Sequence, residues 1–110
     1  MSQKVDKKSL PRVKIIQKIY GSLLNPEEKI IYPKSQYRKY IKDIVSGTLE
    51  RIELIEETIT NNINQDIDFN RTDKLLKIIL FSAVFELMFK HNIPKKVVIS
   101  EYLRAAEFFL

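Results

Sequence analysis

The chain has 110 residues, 45% of them hydrophobic and 30% charged, with two glycines, four prolines and no cysteine. That length holds one core and not two; the missing cysteines exclude a disulfide framework and a thiolate metal site, and so few glycines and prolines disfavour an all-β fold. The formal net charge is +5, and its placement is informative: within residues 1–20, Lys4, Lys7, Lys8, Arg12, Lys14 and Lys18 stand against Asp6 alone, whereas bases and acids balance over the rest.

A general bias toward lysine would spread that surplus along the chain. Its confinement to the N-terminal segment is the footprint expected of an arm or helix that meets a polyanion, the competing reading being an ordinary solvated face. Residues 1–8 are expected to be a flexible basic arm. They are not followed by the apolar stretch and small-residue cleavage site of a signal peptide, so a cytoplasmic location is expected. Ser9 is a candidate cap for a helix whose first turn tolerates Pro11. Val13, Ile16, Tyr20 and Leu23 then recur at steps of three and four and form one apolar face; Arg12 and Lys14 are read as pointing elsewhere.

That helix ends by Asn25-Pro26, and Glu27 to Tyr32 has room only for a short helix before Pro33. From Ser35, a second candidate cap, the apolar pattern runs to Ile63, which predicts one helix of nearly thirty residues. Gly47 lies inside it, where it costs about 1 kcal/mol relative to alanine, so close packing or a bend is expected there. Glu50, Glu53, Glu56 and Glu57 read as its solvated side. Asn61 to Asp73 is the evident loop, with Asn70 or Thr72 as candidate caps for the next helix.

Between Leu75 and Phe89, twelve of fifteen residues are apolar, interrupted by Lys77, Ser82 and Glu86. A helix apolar nearly all round is enclosed by others, and this one is too short for a bilayer, which takes about 20 apolar residues. It is expected to be the central rod of an all-α protein without a membrane span. Ile93-Pro94 ends the rod, and Pro94 opens a last helix that doubles back.

The residues for catalysis are nearly all missing. Gly21 and Gly47 stand alone, so no glycine-rich loop cradles phosphates. One histidine without cysteine makes neither a nucleophilic triad nor a histidine-based zinc site. His91 reads as a cation at a helix end, and Asp66 with Asp68 in the loop is weak evidence for anything. No enzymatic activity, metal or cofactor is expected. Glu86 needs a partner wherever it is buried, and its spacing from Ser82 and Lys90 predicts a pair with Lys90 along the same helix.

With these residues placed, the chain resembles the NusB-type transcription antitermination factors. The resemblance is carried by Phe85-Glu86-Leu87, Ile93-Pro94, Lys96-Val97 and Ile99-Ser100-Glu101 in order, by Arg12, Gln17 and Tyr20 at the family's spacing, and by Asp43 to Gly47 and Arg71. The family pattern continues through a glycine into a final helix, whereas Leu110 stands at the glycine's place; the expectation is a form without that helix, or an apolar end covered by another chain.

The resemblance implies a single domain over 1–110 made of two helical sub-bundles, roughly 9–64 and 70–110, with the basic first helix toward RNA. It implies binding of single-stranded boxA-like RNA together with a small-subunit ribosomal protein, in the service of the transcription elongation complex. By position it places Lys8, Arg12 and Tyr20 toward RNA and Phe109 near the binding face; the N-terminal charge surplus adds Lys4, Lys7 and Lys14 to the RNA-binding set, and Glu101 joins Phe109 as a candidate surface for RNA or a partner protein. Tyr20 has a core role as its competing reading, and homodimer formation stays open. Two further readings remain: an accessory domain of the RNA-modification type, and a helical oligomerisation module without an RNA role.

Overall fold

The structure, a computed structural model, describes residues 9–110. Among these residues five α-helices follow in order: α1 (Pro11–Leu24), α2 (Arg38–Glu50), α3 (Ile52–Asn62), α4 (Lys74–Phe89) and α5 (Lys95–Phe109), with a 3-10 turn at Phe69–Arg71. There is no strand among the described residues. Among the described residues no helix is long and apolar enough to cross a membrane.

The local chemistry sets where the helices start. Pro11 occupies the first turn of α1, where its missing N–H is not needed. Leu10, not Ser9, is the N-cap, and it offers no side-chain bond. Tyr37 takes the cap position expected of Ser35. The cap of α4 is Asp73 rather than Asn70 or Thr72: its carboxylate accepts from the N–H groups of Leu75 and Leu76, and a carboxylate there also suits the helix dipole. Pro94 sits at the cap of α5, one position before the helix proper.

Two expected helices come out differently. The segment from Glu27 to Tyr32 holds no helix and runs as an irregular strap beside α1. The long middle helix is two helices, broken at Arg51, whose φ of −124° and ψ of 22° leave the helical region. The Arg51 guanidinium donates to the Gly47 carbonyl at 3.3 Å and lies 5.6 Å and 5.0 Å from the ring centres of Phe85 and Phe89. Stacking on both rings holds the bend against α4.

Gly47 itself makes the close approach foreseen for it. It is buried, and a β-carbon built there would overlap the ring of Phe85. That lets α2 press directly on α4. The rod α4 contacts α1, α2, α3 and α5. Its residues Ile78, Ile79, Phe81 and Phe85 are buried, as are Val13, Ile15, Ile16 and Ile19 of α1, Ile44 of α2, Ile55 of α3 and Val98 of α5. Each fully buried aliphatic side chain of this kind contributes roughly 1.5–3 kcal/mol. Phe69 reaches in from the loop and meets Phe81 edge-on at 5.8 Å between ring centres, so this segment is pinned to the core.

Candidate nucleic-acid interface

Helix α1 carries cations on two faces, and the structure sends them to different places. Arg12 lies four and seven residues before Ile16 and Ile19, on the side that packs. Its Nη2 donates to Glu86 Oε1 at 3.0 Å and its Nε to Oε2 at 3.2 Å. Glu86 is 0% exposed and the Arg12 side chain 12%. This two-pronged geometry suits a guanidinium and is unavailable to lysine.

Two tyrosines complete the cluster. The Tyr40 hydroxyl donates to Glu86 Oε1 at 2.6 Å, and the Arg12 guanidinium lies 5.4 Å from the ring centres of both Tyr40 and Tyr102. The Tyr102 hydroxyl is buried beside Glu86 and Ser82 without closing a well-formed hydrogen bond. Burial pushes both phenols above their ordinary range, and Glu86 adds to it. Burial works against the Arg12 charge, but Glu86 and the tyrosines outweigh it and raise its pKa. Residues from α1, α2, α4 and α5 are thereby tied to one carboxylate.

Two expectations are corrected here. Arg12 does not stand on the solvent side of α1: its guanidinium is occupied inside the bundle. Glu86 does not pair along its own helix with Lys90; its partners come from α1 and α2, while Ser82 is satisfied by the carbonyls of Ile78 and Ile79.

The outer side of α1 is built from Lys14, Gln17, Lys18 and Gly21. With the strap from Asn25 to Pro33 they line a groove of about 380 Å³, to which the strap adds Lys29. Among the described residues no carboxylate pairs with Lys14, Lys18 or Lys29. Lys18 lies 5.6 Å from the ring centre of half-buried Tyr32, a contact that ties α1 to the strap. Gln17 also borders a second cleft, of about 430 Å³, whose walls are Ile16, Tyr20, Leu75 and Phe109, with Asp73 and Lys74 at its edge.

Tyr20 and Phe109, far apart in sequence, thus meet on one cleft. Tyr20 is 37% exposed, at the rim rather than in the core, with the Lys74 ammonium 5.8 Å from its ring centre. Phe109 packs edge-on with Phe108, ring centres 5.0 Å apart. Glu101 lies apart from this surface: it is half-buried on α5, 4.0 Å from Arg104, and its charge reaches Tyr40. Lys4, Lys7 and Lys8 lie outside the described residues. His91 is exposed just past the end of α4. Among the described residues no three His, Asp or Glu side chains gather into a metal site.

Sequence reasoning missed Tyr40 and Tyr102 as partners of the buried pair. A signal for the pair was present, since Arg12 is the one arginine among the first six cations and shares a helical face with Ile16 and Ile19.

The comparisons with known proteins agree with this architecture. The model of the NusB family matches residues 3–109. The transcription antitermination protein NusB of Rickettsia bellii (strain OSU 85-389) is 33% identical over 121 residues, covering 92% of this chain and 78% of that protein. Its counterpart in Sphingopyxis alaskensis is 25% identical over 126 residues, covering 99% of this chain and 85% of that protein. No solved structure matches. A family match across nearly the whole chain, with relatives covered over most of their length, establishes that the chain belongs to the NusB family.

Proposed function

We propose that this protein is an RNA-binding transcription antitermination factor that acts by binding, without catalysis. The observation that carries this reading is the outer side of α1: among the described residues Lys14 and Lys18 have no carboxylate partner, and their groove shares Gln17 with the cleft lined by Tyr20 and Phe109. Single-stranded RNA is held by cations on its phosphates and by stacking of its bases on aromatic rings. The relatives' name, transcription antitermination protein, points the same way. In this reading the ligand is boxA-like RNA, a small-subunit ribosomal protein strengthens the complex, and the assembly serves the elongating polymerase.

Lys14 and Tyr20 keep the RNA-contact role, joined by Lys4, Lys7 and Lys8 of the N-terminal segment. Phe109 belongs to the same surface and Glu101 to that of the protein partner. Arg12 acts indirectly by holding α1 in place.

The test is a titration of labelled boxA RNA against a scrambled RNA of equal length, with and without the ribosomal protein. Preference for boxA, enhanced by the protein, is expected. The logarithm of affinity should fall with the logarithm of salt by about 0.7 per phosphate neutralised. Equal, salt-insensitive binding of both RNAs would refute the reading.

A further inference from the structure

We propose that the groove between α1 and the strap is a nucleotide-sized subsite for single-stranded RNA, with Lys14, Lys18 and Lys29 around one phosphate and Gln17 reaching the attached nucleoside. The inference rests on the RNA-binding reading above and extends it to a segment, Asn25 to Pro33, that neither the sequence pattern nor the family match singled out.

Three observations carry it. The first is electrostatic. Lys14 and Lys18 are one helical turn apart on α1, and Lys29 comes from the strap, so cations from two segments border one concave space. Glu28 is the lone carboxylate among the described residues of the lining. A phosphodiester there meets positive charge from two sides, within a concavity that concentrates the field.

The second is steric. At about 380 Å³ the groove lies within the range of ligand-holding clefts, roughly 300–1,000 Å³. Gly21 is part of its wall, and a β-carbon added there would meet nothing within 4 Å. The helix thus offers bare backbone where a ligand can approach closely.

The third is preorganisation. The strap is held to the body by Tyr32, which is half-buried, its phenol raised by burial, and contacted by Lys18. A groove formed before the ligand arrives spends less of the binding energy on ordering. Gln17 borders both this groove and the Tyr20–Phe109 cleft. A strand whose base stacks at Tyr20 is therefore led past Gln17 toward Lys18 and Lys29.

The test uses the full chain, labelled single-stranded boxA RNA, and three readouts. Charge reversal in Lys18→Glu/Lys29→Glu is expected to weaken binding about tenfold or more and to lower the salt slope by about 0.7 for each phosphate no longer neutralised. Gly21→Met fills the groove while leaving every charge in place, and is expected to weaken binding without lowering the melting temperature. In the unaltered protein, bound RNA should slow acetylation of Lys18 and Lys29 relative to exposed Lys39 and Lys42.

If the unaltered protein binds the RNA while Gly21→Met retains full affinity and both lysines acetylate at the same rate with and without RNA, the subsite is refuted and the wider reading stands. If the unaltered protein binds no single-stranded RNA, both fall together.

Discussion

The two sides of α1 make an instructive contrast. Both carry cations, within two turns of each other, and they have opposite fates. Arg12 is drawn inside, where a buried carboxylate that also accepts from the Tyr40 hydroxyl pairs with it between two rings, whereas Lys14 and Lys18 line a groove with no carboxylate paired to them among the described residues. Position on the helix decides which way each points. Side-chain chemistry then decides whether the place can be kept. A planar guanidinium can satisfy both oxygens of Glu86 and stack between Tyr40 and Tyr102; an ammonium could do neither as well. Net charge therefore overstates the charge left at the surface, because it counts a cation held inside the bundle.

The contrast breaks most visibly at Glu86. Glu86→Ala leaves the Arg12 charge inside without its counter-ion and should cost about 3–5 kcal/mol in urea unfolding. Replacing the whole pair, Arg12→Met/Glu86→Leu, should recover much of that loss. The double variant should also keep the affinity of the unaltered protein for RNA. A folded double variant that had lost RNA binding would return Arg12 to the binding surface.

Gly47 and Gly21 test the same division between inner and outer positions. Helix propensity alone favours alanine at both by about 1 kcal/mol. Gly47→Ala instead should destabilise by about 1–3 kcal/mol, because its new methyl collides with Phe85 inside the core. A stabilised Gly47→Ala would mean that α2 and α4 stand further apart than a direct glycine-to-ring contact requires.

Alkaline titration reports on the two buried phenols that flank Glu86. Tyr40 and Tyr102 are both raised above the ordinary 10.0, chiefly by burial. The unfolded chain gives up these protons near pH ~10 while the folded chain retains them. Stability should therefore be intact below that pH and fall as the pH rises beyond it. Phenolate absorbance should show these two ionising only with unfolding. Tyr40→Phe should flatten the alkaline decline.

The smallest effects belong to the outer side. Gly21→Ala should stabilise by up to about 1 kcal/mol, since its methyl meets open space. Lys14→Glu should change stability by no more than about 0.5 kcal/mol while weakening RNA binding. A large loss of stability would mean that Lys14 has a structural role like that of Arg12.

Much was legible without coordinates, because periodicity and punctuation are local. The largely apolar run from Leu75 to Phe89 could only be an enclosed helix, and it became α4, in contact with the four other helices of the described residues. Pro11 and Pro94 marked helix starts to within one position. The features that stayed hidden depended on neighbours distant in sequence. The break at Arg51 has no glycine or proline; it is held by stacking on two phenylalanines of another helix. The strap was read as a short helix because Glu27 to Tyr32 has helix-forming residues, yet so short a segment gains little from its own hydrogen bonds, and docking of Tyr32 on the body prevails.

The amino-acid sequence by itself determined the helical class, the central apolar helix and the crowding of basic residues toward one end, since each follows from residue type and spacing along a single segment. Only the tertiary structure decided which of those cations are available, that Tyr20 and Phe109 share a cleft, and that four helices converge on Glu86. Those outcomes depend on which side chains approach within hydrogen-bonding or packing distance across separations of some 46 to 89 positions, from Tyr40 to Glu86 and from Tyr20 to Phe109, and no pattern within one segment carries that information.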